Sequence, residues 1–192
     1  MSGLERRAAM ATLMADRKDD LLVVPGLGST TYDLAAAGDN DRNFYLWGAM
    51  GGAAMIGLGL SLARPEKRVA VITGDGEMLM GMGSLATIGV QRPPNLAVVV
   101  FDNGFYGETG MQASHTQSGV DLVEVARGCG IARVLEIKDE AGLRELAGLL
   151  ASGEGPLFAR VPITPDDSPR VLPEKDGVVI KQRVRRAVEK AL

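Results

Sequence analysis

The chain has 192 residues, 46% of them hydrophobic, and a formal net charge of −3. That is one domain's length with enough apolar material for a single core, and the slightly acidic balance gives no electrostatic pull toward nucleic acid or an anionic membrane. A single cysteine, Cys129, excludes an internal disulfide, and with no charged-then-apolar leader before the first helix the expected location is the cytoplasm.

From Ser2 to Asp16 the spacing of Leu4, Ala8, Met10, Ala11 and Met14 predicts an amphipathic helix, closed by the polar turn Asp16 to Asp20. Leu21 to Val24 is the first strand. It runs into Pro25-Gly26-Leu27-Gly28-Ser29-Thr30-Thr31, a strand-to-helix loop in which Ser29 to Thr31 read as N-caps for a helix over Tyr32 to Ala37. Phe44 to Trp47 reads as a short strand, and a helix crowded with small residues begins at Gly48, with Gly57 and Gly59 expected in tight helix-on-helix contact. The apolar stretch 49–63 stops at Arg64-Pro65, short of the roughly 20 residues that span a bilayer.

Val69 to Thr73 is a β-branched strand that breaks at Gly74-Asp75-Gly76, followed by one helix over Met78 to Val90 and a stop at Arg92-Pro93-Pro94-Asn95. Leu96 to Phe101 is a second buried strand, ending at Asp102-Asn103-Gly104, and residues 105–116 form a long polar-aromatic loop. A helix over Asp121 to Gly130, a strand over Arg133 to Ile137, a helix carrying Leu143, Leu146, Leu149 and Leu150, and a strand over Leu157 to Val161 complete the alternation. Strands alternating with helices give an α/β fold: a doubly wound, mostly parallel sheet with helices on both faces. Residues 1–163 form the domain. Residues 164–192 form a polar linker and a helix from Ile180 to Leu192, whose apolar stripe of Val184, Ala187, Val188 and Leu192 suits docking on the domain or a partner.

Ligands of open parallel sheets bind outside the carboxyl ends of the strands. Asp75 and Asn103 stand at two such ends, and a carboxylate beside an amide oxygen is a partial shell for a hard cation such as Mg²⁺, which completes its octahedron with phosphate and water. Gly74 and Gly76 suit a tight turn and let the main chain approach phosphate oxygens, with the helix from Met78 aiming its amides at them. A metal-bound diphosphate is the ligand these features predict. Two competing motifs are weak: Gly81-Met82-Gly83-Ser84-Leu85-Ala86 matches a dinucleotide fingerprint but lies inside a helix, and Gly26-Leu27-Gly28 opens another loose match; no GxxxxGK[ST] is present.

The motif Gly74-Asp75-Gly76, with Asn103 standing 28 positions after Asp75 in a Gly-rich turn, resembles the thiamine diphosphate signature. Together with Trp47-Gly48-Ala49-Met50-Gly51-Gly52 and Phe101 to Gln112, it makes residues 44–116 similar to the diphosphate-binding domain of thiamine diphosphate-dependent 2-oxo acid decarboxylases, most of all those acting on sulfopyruvate and phosphonopyruvate. The resemblance implies that Asp75, Asn103 and the Phe105 carbonyl ligate Mg²⁺. It implies cofactor contacts from Gly48, Met50, Gly74, Gly76, Glu77, Tyr106 and Gly107, with Met50 as the large apolar residue that props thiamine diphosphate in its bent conformation. Glu77 departs from the small hydroxyl residue common at its position, so only its main-chain amide is expected to meet the diphosphate.

The glutamate that activates the cofactor in this family belongs to a pyrimidine-binding domain. One domain is accounted for here by the diphosphate half, so the resemblance implies a separate α-type polypeptide and a hetero-oligomer, with no nucleic acid or membrane partner. The implied reaction is decarboxylation of a 2-oxo acid to an aldehyde and CO₂, with Gln112 or His115, the one histidine, facing the substrate. Carboligation, a two-subunit oxidoreductase and a non-catalytic cofactor-binding protein are the alternatives; the absence of a Cys-rich pattern argues against an oxidoreductase carrying its own cluster.

Overall fold

The structure is a computed structural model and describes residues 3–152, 154–166 and 168–189. Its centre is a five-stranded parallel sheet of β1 (Leu21–Pro25), β2 (Arg68–Gly74), β3 (Leu96–Asp102), β6 (Arg133–Glu136) and β7 (Leu157–Pro162), in the order β1-β2-β3-β7-β6. Every residue of β1 and β3 is buried, as are Val69 to Thr73 of β2. Successive side chains of a strand point to opposite faces, so unbroken burial requires cover on both. Helices α3 (Ala53–Ala63), α5 (Gly83–Gln91) and α6 (Leu122–Gly128) supply one layer, and α1 (Arg6–Met14), α2 (Ser29–Ala36) and α7 (Glu140–Ser152) the other. This is the doubly wound parallel arrangement that the alternation predicts.

Several boundaries move for identifiable reasons. The helix read from Met78 to Val90 is two: α4 (Asp75–Met80) and α5, parted because the backbone of Gly51 presses on Gly81, where a Cβ would strike the Gly51 carbonyl. The small-residue helix begins at Ala53 rather than Gly48, because Gly48 and Gly51 hold positive φ (73° and 89°) and turn the chain first. Residues 44–47 are not a strand; one bridge, Val23 to Asn43, lies alongside edge strand β1. Gly57 lies against Val71 of the sheet rather than a helix, and Gly59 meets nothing. The first helix starts at Arg6 behind the N-cap Glu5; Ser2, at its predicted start, falls outside the described residues.

The loop read over 105–116 is a small hairpin of β4 (Phe105–Tyr106) and β5 (Gln112–Ala113), followed by a 3₁₀ turn over His115–Ser118. At the carboxyl end of the chain, α8 (Gly177–Glu189) buries Ile180, Val184 and Val188 against the domain, and Arg183 grips Asp39 at 2.7 Å. The predicted stripe is therefore read correctly at Val184 and Val188, gains Ile180, leaves Ala187 half-buried, and ends at Leu192, outside the described residues. Among the described residues no helix is long and apolar enough to cross a membrane.

Candidate functional site

Parallel registration brings the strand ends level, with Pro25 opposite Ile72, Gly74 opposite Phe101 and Asp102 opposite Pro162. A cleft opens outside that edge, with an empty volume of about 780 Å³ that includes the open solvent at its mouth. Nine of the predicted cofactor residues line it: Met50, Gly74, Asp75, Gly76, Glu77, Asn103, Phe105, Tyr106 and Gly107. Gly48 does not; it stays in the turn behind Met50.

The strand β2 passes into α4 with no intervening turn. Gly74 is extended (φ −91°) and Gly76 already helical, so the predicted role of these glycines as a tight turn is corrected. What excludes a side chain at Gly76 is the Tyr106 ring, 2.5 Å from where its Cβ would be. The helix N-terminus facing the cleft consequently starts at Asp75, three residues earlier than expected.

Asp75 is 2% exposed, and one of its oxygens accepts from Ser114 Oγ at 2.5 Å, with Thr116 Oγ1 farther off at 3.4 Å. Burial pushes its carboxyl up to about 6, offset by the Ser114 hydroxyl, raised further by the neighbouring charge of Asp102 and lowered by the amides of Asp75 itself and Asn103. Asp102 does not compete for the cleft. Its oxygens accept from Gly104 N, Thr116 Oγ1 and, at 2.6 Å, Arg160 Nε. The Asn103 amide oxygen lies beside the cleft, accepting from Phe105 N at 2.8 Å in a local turn that begins the hairpin.

Glu77 is buried too, and turns the other way. One oxygen accepts from Leu27 N at 2.7 Å and the other from Ala53 N at 3.3 Å. Burial raises its carboxyl, with the Leu27 amide, the Thr73 hydroxyl and the amides of Ala53 and Gly51 opposing. The carboxylate is thus spoken for within the frame.

Gln112 and His115 are exposed and outside the cleft. The Gln112 side chain closes on Thr109, accepting from its hydroxyl at 2.9 Å and donating to its carbonyl at 3.0 Å. Around His115 the inward residues are its neighbours Ser114 and Thr116, which sequence reading passed over; the alternation in Ser-His-Thr was the available signal. Ser29 and Thr30 also line the cleft. They are not N-caps but the first residues of α2 behind Gly28, and the Thr30 and Thr31 hydroxyls donate to Gly26 O. Arg6, held by Asp33 at 2.8 Å and Asp166 at 3.2 Å, lines the cleft as well, and nothing in its amphipathic context marked it.

Among the described residues no three His, Cys, Asp or Glu side chains converge on a metal-sized point. A cation here would take one carboxylate, an amide oxygen and a carbonyl, and would need further oxygens from a ligand, which is the coordination habit of Mg²⁺ with phosphates.

Residues 26–161 match the family model described as thiamine pyrophosphate enzyme, C-terminal TPP binding domain. The chain is 46% identical over 110 residues to the sulfopyruvate decarboxylase subunit beta of Methanocaldococcus jannaschii, covering 57% of this chain and 58% of that one. It is 35% identical over 188 residues to the subunit of the same name from Methanothermobacter thermautotrophicus, covering 98% and 97% of the two. To the phosphonopyruvate decarboxylase of Streptomyces viridochromogenes it is 39% identical over 160 residues, 83% of this chain but only 40% of that protein. The crystal structure of benzoylformate decarboxylase from Polynucleobacter necessarius superposes with a TM-score of 0.72 at 21% identity, over 86% of this chain and 34% of the other.

Proposed function

This chain belongs to the thiamine pyrophosphate enzymes, matching their C-terminal TPP binding domain, and from that premise we propose that it is the diphosphate-binding subunit of a magnesium-dependent decarboxylase of a short 2-oxo acid. The observation that carries the reading is the meeting of Asp75 and Asn103, from adjacent strand ends, in one cleft with the first turn of α4. Sulfopyruvate and phosphonopyruvate, named in the relatives above, are the proposed substrates: 2-oxo acids with a second acidic group.

In this reading Asp75, the Asn103 side chain and the Phe105 carbonyl hold Mg²⁺, and the main chain at Gly76 and Glu77 meets the diphosphate. Met50, on the cleft wall and 40% exposed, props the cofactor. Tyr106 and Gly107 close the hairpin side. Thiamine diphosphate, when bound, supplies the electron sink that carboxylate loss requires; the protein contributes position and a field. Ser114 and Thr116 keep Asp75 in place, and Arg160 occupies Asp102, so a single carboxylate faces the cation. The C–C bond to the carboxylate breaks, CO₂ leaves, and a proton adds to the former keto carbon to give the aldehyde.

The relatives called subunit beta support an oligomer with a second kind of chain, and the proposed partner is an α-type, pyrimidine-binding polypeptide that supplies the activating glutamate. Residues 1–163 are proposed as the binding domain, with 164–192 as a linker and docking helix. The test is to purify the chain with its partner and assay CO₂ release from a panel of 2-oxo acids with Mg²⁺ and thiamine diphosphate. The pair should turn over sulfopyruvate or phosphonopyruvate and the chain alone should not. Turnover by the chain alone, or cofactor binding without turnover by any pair, overturns the proposal.

A further inference from the structure

We infer that Glu77 is a positioning residue: its side chain fastens the Leu27 loop and the Met50 turn to the first turn of α4 and so sets the apolar walls of the cleft before a cofactor enters. The inference deepens the cofactor reading above and rests on it.

Two segments far apart in sequence, the loop after β1 and the turn that leads into α3, converge on this side chain. Leu27 follows β1, Gly51 closes the turn that carries Met50, and Ala53 opens α3; the amides of Leu27 and Ala53 donate to the two Glu77 oxygens, and that of Gly51 also acts on the carboxylate. The first amides of a helix have no partner inside it and need one from outside. The N-cap of α3 is Gly52, which has no side chain to offer, so Glu77 serves as its cap from 24 residues away in sequence. A negative group at that place also matches the positive end of the helix.

The surroundings are shaped to the carboxylate. A Cβ on Gly26 would collide with Glu77 Oε2, so any larger residue in the loop after β1 would have to displace the carboxylate. Gly51, at φ 89°, in turn lies against the α4 break at Gly81. The two side chains tethered this way, Leu27 and Met50, line the cleft from different elements. The residue that breaks the family pattern at its acidic head therefore works away from the diphosphate, on the walls that would face the organic part of the ligand.

The experiment compares full-length Glu77→Ala and Glu77→Gln with the unmutated chain in two ways. Hydrogen exchange, which needs no ligand, should show protection at the Leu27 and Ala53 amides falling about tenfold in Glu77→Ala, in line with an unmade buried hydrogen bond, and less in Glu77→Gln, which keeps one acceptor. Calorimetry with Mg²⁺ should show affinity for thiamine diphosphate falling about tenfold in Glu77→Ala while affinity for inorganic pyrophosphate changes less than about twofold, because the tail's contacts are untouched. A general loosening of the fold would weaken both ligands alike. Equal losses for the two, or unchanged exchange at Leu27 and Ala53, overturns the inference; if Glu77→Ala does not fold, Glu77→Gln carries the same comparison. A chain that binds pyrophosphate but no thiamine diphosphate, before any mutation, sinks instead the cofactor reading on which the inference rests.

Discussion

The first turn of α4 carries two buried carboxylates that face opposite neighbourhoods. Asp75 looks toward the hairpin and 3₁₀ turn, where its partners are the hydroxyls of Ser114 and Thr116. Glu77 looks toward β1 and α3, where main-chain amides hold both of its oxygens, with the Thr73 hydroxyl beside them. The difference is one of adjustability. A hydroxyl can rotate to donate or accept, so Asp75 can trade a hydrogen bond for a cation without unmaking the fold. A backbone amide cannot turn away, so Glu77 is committed to the frame. In the proposed reading one side of the turn serves a ligand and the other holds the walls.

The largest break in that contrast should come from Asp75→Ala. Loss of the proposed direct cation ligand should exceed the 10–100-fold typical of outer-shell partners, so Mg²⁺-dependent retention of thiamine diphosphate should drop by at least about 100-fold in equilibrium dialysis. The melting temperature should hold or rise, because a desolvated carboxylate is removed along with its cost. Retention equal to that of the unmutated chain would show the ligand assignment to be wrong.

How much of this contrast could be read from residues alone divides along physical lines. The sheet, and Asp75 with Asn103 at its edge, follow from β-branched runs ending in Gly-flanked polar residues, because hydrophobic periodicity and chain breaks are local. The hairpin at 105–113 was not legible. Its turn is closed by Tyr106 O accepting from Met111 N, with Met111 at φ 61°, a conformation methionine rarely adopts and nothing in the sequence advertises. The break between α4 and α5 was hidden for a different reason: it depends on Gly51 meeting Gly81, 30 positions away. Ser114, Thr116 and Arg160 were missed because their role exists only across strands, on carboxylates brought by other elements. Glu77 was expected to turn its carboxylate away from a diphosphate, yet where that carboxylate goes is a tertiary fact.

A smaller effect sharpens the comparison through pH. The Asp75 carboxyl is raised from 3.8 to about 6, so the folded chain holds a proton there that the unfolded chain has already lost. Bound protons in excess on the folded side mean that the stability of the ligand-free chain falls as pH rises from about 4 to about 6, by at most roughly 3 kcal/mol at 1.36 kcal/mol per pH unit. Cation binding needs the ionised form and runs the opposite way: Mg²⁺ affinity should weaken about tenfold per unit as pH drops below about 6. Urea unfolding across this range should show a shallower slope in Asp75→Asn. A residual slope of the same sign should remain, since burial raises Glu77 as well.

The smallest expected effect belongs to His115, and it asks where the ligand side of the contrast ends. In Ser114-His115-Thr116 the outer two hydroxyls reach Asp75 and Asp102, while the ring between them is exposed and outside the cleft. For an exposed side chain of this kind His115→Ala should change stability by less than about 0.5 kcal/mol, visible as a melting shift of no more than about 2 °C. Thiamine diphosphate affinity of the chain alone should stay within about twofold, because no cleft-lining atom is removed. Turnover by the chain with its partner gives the informative contrast. A kcat near that of the unmutated pair confines the working surface to the Asp75 cleft, whereas a tenfold fall in kcat at constant cofactor affinity would extend it across the hairpin to the exposed ring, and would make His115 a residue whose chemistry exists only in the assembled pair.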